Sequence, residues 1–205
     1  KPLRTTAVSA IGAVGGGANY GPAYIAKSIE NSLRRLGTDY LDMFLIHGAG
    51  PDDIADGALI DKLERLKDKG MIRHYGVSCA RKATPDDVRA LLTHKTLSSL
   101  QISFNPYHTA TLDAALEHAD ARDTSLVTRD VFYKGDIFGD PTLQPALERH
   151  PDRSPAQTAI RFALQENPTG PVIVGATKKG HLNDIIGALS APALTPDDIV
   201  KLRAL

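Results

Sequence analysis

The chain has 205 residues and a mass of 22.0 kDa, enough for one domain with a substantial core over residues 1–205 and too little for two to be expected. Lysine plus arginine number 24 and aspartate plus glutamate 24, a formal net charge of zero that gives no reason to expect nucleic acid or another polyanion as partner. A single cysteine, Cys79, excludes an internal disulfide framework, no apolar run approaches the ~18 residues of a membrane span, and no signal peptide is evident, so the expected home is the cytoplasm.

Leu3 to Ile11 reads as a short strand in which Ala7, Val8 and Ile11 are apolar. The glycine-rich stretch from Gly12 to Gly21 fits neither GxGxxG nor GxxxxGK[ST], and it reads as a strand-to-helix loop. Tyr24 to Gly48 then reads as a helix, a tight turn and a strand. Ile25, Ile29, Leu33 and Leu36 recur at helical spacing and make one apolar stripe. Gly37 supplies the left-handed residue that a helix C-terminus favours. Leu41 to Ile46 is apolar except at Asp42, the pattern of a strand buried on both faces of a parallel sheet. His47 closes that strand. Catalytic side chains of parallel α/β proteins gather at strand carboxyl ends, which makes His47 the residue of greatest chemical interest.

Leu59, Leu63 and Leu66 predict a helix over Gly57 to Lys69, ended by Gly70, and Arg73 to Ser78 is the next strand. Thr84-Pro85-Asp86-Asp87 opens a helix with an N-cap, a proline at the first position and acids at the positive end of the dipole. Leu97 to Phe104 predicts a strand, Thr111 to Ala121 a helix, Leu126 to Val131 a strand, and Pro141 to Pro151 a loop with some helix. Ser154-Pro155-Ala156-Gln157 is a capping box opening a helix through Leu164. Pro171 to Gly175 is the last predicted strand, a helix follows from about Gly180 to Leu189, and Thr195-Pro196-Asp197-Asp198 caps a C-terminal helix. Strands alternating with helices at this interval predict a parallel α/β sheet of about six βα units. A closed barrel of this type takes eight units in about 250 residues. A parallel sheet of six units left unclosed has open edges that a homo-oligomer would cover.

The run LRRLGTDYLDMFLIHG closely resembles the aldo-keto reductase signature, in which a helix leads into strand four of a (β/α)8 barrel ending in the catalytic histidine. GVSC from Gly76, QISFNPYH from Gln101, SPAQTAIRFAL from Ser154 and PVIVGATKKGHL from Pro171 resemble further segments in that family's order. The resemblance implies an incomplete, TIM-barrel-like fold of barrel units three to eight, with Lys1-Pro2 at the turn before strand three. It also implies an NADP(H) cofactor and a small carbonyl substrate. In that family hydride is delivered to carbon while a tyrosine, tuned by a lysine and an aspartate, protonates the oxygen and a histidine orients the carbonyl. Only the histidine carries over, as His47. The aspartate and tyrosine belong to the first two units, which this chain lacks, and Ala10 stands at the lysine position in Val8-Ser9-Ala10-Ile11-Gly12. A tyrosine near pKa 10 needs that positive charge beside it to act near neutrality. Catalysis is therefore expected to be impaired.

On the cofactor side the resemblance assigns Ser78 and Gln101 to the nicotinamide carboxamide, Arg129 to the flank of the pyrophosphate and Asp184 to the neighbourhood of the adenine. Cys79 stands where the family commonly has asparagine, and Ile185 replaces another. Read on its own chemistry, a strand running through Gly175, Thr177 and Lys178 into a helix N-terminus presents backbone N–H groups and a positive dipole to an anion. Lys178 and Lys179 add charge suited to a 2′-phosphate. No Cys/His cluster has metal-ligand spacing, so no metal is expected, and the Gly-x-Ser-x-Gly of serine hydrolases is absent. His74, His94, His108, His118, His150 and His181 read as surface or loop residues. Two further readings stay open at the level of sequence: a non-catalytic nucleotide-binding or scaffold protein, and a fragment of a full-length reductase.

Overall fold

The computed structural model describes residues 7–8, 19–119 and 124–204. Ala10, most of the glycine-rich loop and the end of the helix predicted to reach Ala121 lie outside the described residues. The chain divides into two compact units. The first runs to Gln101 and takes in Ala114–Ser125; the second holds Ile102–Asp113 and Leu126–Leu205. Within the first unit the strands of the sheet follow one another in chain order.

In the first unit, β1 (Ala7–Val8) pairs in parallel with β2 (Leu41–His47) through Ala7 with Phe44 and Val8 with Leu45. The intervening helix α1 (Pro22–Leu36) starts on a proline that needs no N–H partner. It ends at Gly37, whose φ of 64° lets the N–H groups of Gly37 and Thr38 close on the carbonyls of Arg34 and Leu33. Ile25, Ile29 and Leu33 are buried, but Leu36 is 43% exposed, so the apolar stripe stops one turn before the helix does. β3 (Ile72–Ser78) pairs in parallel with β2 along its whole length, and α2 (Ala58–Asp68) buries Leu59, Leu63 and Leu66. Gly76 of β3 is required by space: a Cβ there would lie 2.0 Å from the Ser99 carbonyl oxygen. That close approach brings in β4 (Ser99–Ser103), paired in parallel from Gly76 with Ser99 to Ser78 with Gln101. Thr84 caps α3 (Pro85–Leu91) as predicted, and Asp87 closes a reciprocal box with it. The chain then continues through α4 (Ala110–Ala119) to β5 (Ser125–Arg129).

In the second unit, the Phe104 N–H donates to the Arg129 carbonyl at the end of β5. The Phe104 ring packs 5.0 Å from Phe162 of α6 (Pro155–Glu166), which the Ser154/Gln157 capping box opens as predicted. The short α5 (Gln144–Leu147) precedes it, and α7 (Lys179–Gly187) and α8 (Pro196–Arg203) follow. Arg203 of α8 joins the carboxylates of Asp113 and Glu166. The last predicted strand is reduced to one parallel bridge, Thr128 with Val172, flanked by Thr128 N–H to Pro171 O at 2.9 Å and Ile173 N–H to Thr128 O at 2.8 Å. Pro171 has no donor with which to extend that ladder, and Ile173 is 44% exposed. No side chain of α7 is buried, and Leu182 and Ile186 stand 49% and 56% exposed. Among the described residues no helix is long and apolar enough to cross a membrane.

Candidate active site

Parallel register sets the site of the first unit. His47 pairs with Ser78, and Ser78 with Gln101, so three polar residues stand in one row, at the carboxyl ends of β2 and β3 and in the middle of β4. Residues in register on parallel strands share a face of the sheet. Ser78 and Gln101 are buried, while His47 is exposed. The Ser78 hydroxyl donates to Gln101 Oε1 at 2.6 Å. That bond orients the amide so that Nε2 is the group left to donate. The ladder runs one step past the strands, Gly48 N–H to Ser78 O at 2.7 Å and Cys79 N–H to Gln101 O at 2.9 Å. Gly48 has a φ of 73°, which turns the chain sharply after His47. Tyr20 lies over this turn, its hydroxyl donating to the His47 carbonyl at 3.1 Å. Burial, and then the charge of Asp53, raise the Tyr20 pKa above its ordinary value, so the phenol stays a donor at neutral pH.

The second unit carries a separate concave site. Past β5 the backbone takes positive φ at Asp130 (64°), Tyr133 (45°), Lys134 (61°) and Gly135 (103°). Such strain persists only where surrounding contacts hold it. Here Ser103 Oγ donates to the Asp130 carboxylate at 2.8 Å, Asn105 Nδ2 to the Asp130 carbonyl at 3.1 Å, and the Tyr107 hydroxyl to Asp140 at 2.6 Å. Burial of the ring, and then the last of these bonds, push the Tyr107 phenol up to about 12. The held loop and the segment after the Val172 bridge enclose a cavity of about 560 Å³ that includes Asp130, Phe132, Phe138, Gly175, Thr177 and His181 in its wall. A second cavity, of about 410 Å³, is lined by Phe132, Phe138, Ser154, Gly175, His181 and Asp184 among others.

The residues singled out from the sequence therefore fall into two sets. His47, Ser78 and Gln101 form the row in the first unit. In the second, Gly175 and Thr177 line the larger cavity, and Arg129 ends β5, half-buried. Lys178 is the exposed N-cap residue of α7, in extended conformation. Asp184 faces the smaller cavity, but its carboxylate is occupied by Ser154 Oγ at 2.9 and 3.0 Å and Gln157 Nε2 at 3.0 Å. Sequence reasoning missed Tyr20, Asp130, Phe132, Phe138 and His181. Only the Lys134-Gly135 pair in the loop, a turn signal, hinted at the bend that brings the two phenyl rings to the cavity. Among the described residues no group of three or more His, Cys, Asp or Glu side chains is placed to hold a metal ion.

The aldo/keto reductase family model matches residues 10–205. The chain belongs to the aldo/keto reductase family. It is similar to the uncharacterized oxidoreductase YqkF of Bacillus subtilis, at 27% identity covering 89% of this chain and 65% of YqkF. It is also similar to the glyoxal reductase of Bacillus subtilis, at 29% identity covering 87% and 61%. The aldo-keto reductase AKR11C1 from Bacillus halodurans, in its holo form, superposes with a TM-score of 0.73 at 26% identity, covering 91% of this chain and 68% of that one. The chain thus spans less than two thirds of the length of either of these curated relatives. As a member of that family it has the parallel α/β architecture of the family's barrel, and His47 and Ser78 of the row stand at the carboxyl ends of their strands.

Aldo/keto reductases work with nicotinamide nucleotides, and the residues present in this one fit such a group. A nicotinamide carboxamide offers one acceptor and one donor. The Gln101 Nε2 left over by the Ser78 bond matches the acceptor, and the Ser78 oxygen can accept from the donor. In the second unit, Gly175 has no atom within 4 Å of where a Cβ would sit, which leaves backbone open to an approaching phosphate.

Proposed function

We propose that this aldo/keto reductase binds NADP(H) and descends from carbonyl reductases, with its nucleotide-binding residues retained and its proton-donating machinery weakened. The observation that carries the reading is the register row of His47, Ser78 and Gln101 with the amide of Gln101 oriented by Ser78. In this reading Gln101 and Ser78 hold the carboxamide. Arg129, Gly175, Thr177 and Lys178 serve the phosphates, Lys178 supplying charge for the 2′-phosphate, and Asp184 sits near the adenine. When bound, the nicotinamide supplies hydride to a carbonyl carbon. His47 orients the carbonyl oxygen of a small aldehyde or ketone. Proton delivery is the weak step, because Ala10, at the family's lysine position, brings no positive charge to lower a tyrosine pKa. The reading carries a cytoplasmic location, which fits a chain whose single cysteine, Cys79, is buried and in no disulfide.

A panel of aldehydes and ketones assayed with NADPH tests it. Turnover well below the usual 1–10³ s⁻¹ of enzymes is expected, and turnover within that range would sink the claim of weakened catalysis. A second reading, an assembly of two copies that holds nucleotide without catalysis, draws on the exposed Leu182, Ile186 and Leu189 in and just after α7. Sizing chromatography decides that point: a dimer supports it and a monomer removes it.

A further inference from the structure

Tyr20 stands just before α1, half-buried, and reaches the carboxyl end of β2. Its hydroxyl donates to the His47 carbonyl at 3.1 Å. Gly48 passes close beneath it, since a Cβ there would lie 3.5 Å from the phenolic oxygen. The Gly48 N–H is itself bonded across to the Ser78 carbonyl, so the phenol caps the turn without taking part in the sheet ladder. It thus sits where the row of His47, Ser78 and Gln101 begins. The hydroxyl proton of Ser78 is committed to Gln101, and an amide is not an acid. Within the row and the turn over it, the imidazole of His47 and the phenol of Tyr20 are the groups able to give up a proton in the ordinary pH range.

We infer that Tyr20 gives the proton to the carbonyl oxygen when this protein reduces an aldehyde or ketone. The inference rests on the nicotinamide-nucleotide reading and goes past it, since that reading leaves the proton without a donor. Rotation about the phenolic C–O bond redirects the proton from the His47 carbonyl to the substrate oxygen that the His47 ring orients. The reduced nicotinamide supplies hydride for the new C–H bond and is oxidised. The π pair of the carbonyl moves to oxygen, which takes the Tyr20 proton to complete the alcohol, and water reprotonates the phenolate. Burial, and then the charge of Asp53, raise the pKa of this phenol, which keeps it protonated through neutrality. The same shift makes it a reluctant acid, in keeping with slow turnover.

Turnover of para-nitrobenzaldehyde with NADPH, measured alongside NADPH affinity and melting temperature, tests this on the wild type, Tyr20→Phe and Asp53→Asn. Tyr20→Phe keeps the ring and loses the hydroxyl. Its kcat is expected to fall roughly a hundredfold, with NADPH affinity changed by less than about twofold. Wild-type kcat should stay level from about pH 6 to about pH 9 and decline only beyond the ordinary phenol value near 10. Asp53→Asn keeps an oxygen for the Gly50 N–H, now bound at 2.7 Å, and should move that decline to lower pH, because removing a negative charge eases ionisation of the phenol. A merely structural Tyr20 would lose kcat, affinity and melting temperature together and leave the alkaline decline unmoved by Asp53→Asn. Unchanged kcat in Tyr20→Phe, or a rate that falls as pH rises through about 6.5, where an imidazolium loses its proton, would overturn the inference. Wild-type protein that binds NADPH but reduces no aldehyde would overturn it too, while leaving nucleotide binding standing. Wild-type protein that does not bind NADPH would remove both readings.

Discussion

The Ser78 hydroxyl donates one hydrogen bond, and that bond decides what Gln101 can offer. Without it the amide is free to turn, and its oxygen, rather than its nitrogen, can face a ligand. Ser78→Ala is therefore expected to weaken NADPH binding roughly tenfold, the scale of one lost buried hydrogen bond. The melting temperature should move little, because the row at Gly48 and Cys79 is held by backbone. Calorimetry with a parallel thermal melt separates these effects. A large drop in melting temperature at unchanged affinity would make Ser78 a structural residue instead. His47 was legible in the sequence because a run of apolar residues ending in one histidine needs only local reading. His181 was not, because nothing in its neighbours along the chain says that Phe132 and Phe138, some fifty residues earlier, share its cavities. Tyr20 escaped for the same reason, since its partner is a backbone carbonyl and leaves no side-chain signal.

At the level of elements, the capping signals transfer from sequence to structure with little change. Thr84, Ser154 and Thr195 each cap a helix whose first residue is proline, and each closes a reciprocal box with the residue three positions on. These interactions are local, so tertiary context has little to override. Ser154 differs in one respect: its hydroxyl also binds Asp184 of α7. Thr84→Ala is expected to cost about 1 kcal/mol, the usual value of a cap, and Ser154→Ala measurably more; equal losses in urea denaturation would show that the Asp184 contact contributes nothing. The strand predicted over Pro171 to Gly175 failed where the caps succeeded. Val172, Ile173 and Val174 have high strand propensity, but a strand needs neighbours, and Val172 alone finds one, at Thr128.

The C-terminal helix shows how charge fixes an element in place. Asp198 is 2% exposed and meets His150 at 3.0 Å and Arg153 at 3.5 Å, the Arg153 side chain being itself 1% exposed. Burial alone would raise the Asp198 pKa. The hydrogen bonds from the Thr195 backbone and hydroxyl, and then from His150, outweigh burial and bring it down to about 2. A carboxyl whose folded pKa lies below its unfolded value stabilises the fold above that unfolded value, 3.8 here, and the contribution drains away as pH falls towards about 2. Asp198→Asn is expected to cost about 3 kcal/mol near neutrality, since it leaves the buried Arg153 without its counter-charge. The variant should also lose the steepening of denaturation between pH 4 and pH 2. Urea midpoints measured from pH 6 to pH 2 check both, and parallel curves for the two proteins would contradict the assignment.

On the scale of the whole molecule, the alternation of strand and helix gave the fold class, and the ordered motifs gave the family, because both depend on patterns many residues long that survive local variation. The extent of the barrel was less legible. Six βα units were predicted, five strands form among the described residues, and the segment that would be the sixth keeps a single bridge. The chain covers 68% of AKR11C1 and 65% of YqkF. What this length of chain does depends on whether its polar row and its cavities bind nucleotide. The direct measurement is a titration of NADPH, and of NADH, into the purified protein, with emission excited at the nicotinamide because the chain has no tryptophan. Saturable binding of NADPH that is tighter than that of NADH, and weakened by reversing the charge of Lys178, is the predicted result. No binding of either nucleotide would contradict it and leave the row at His47 without a ligand.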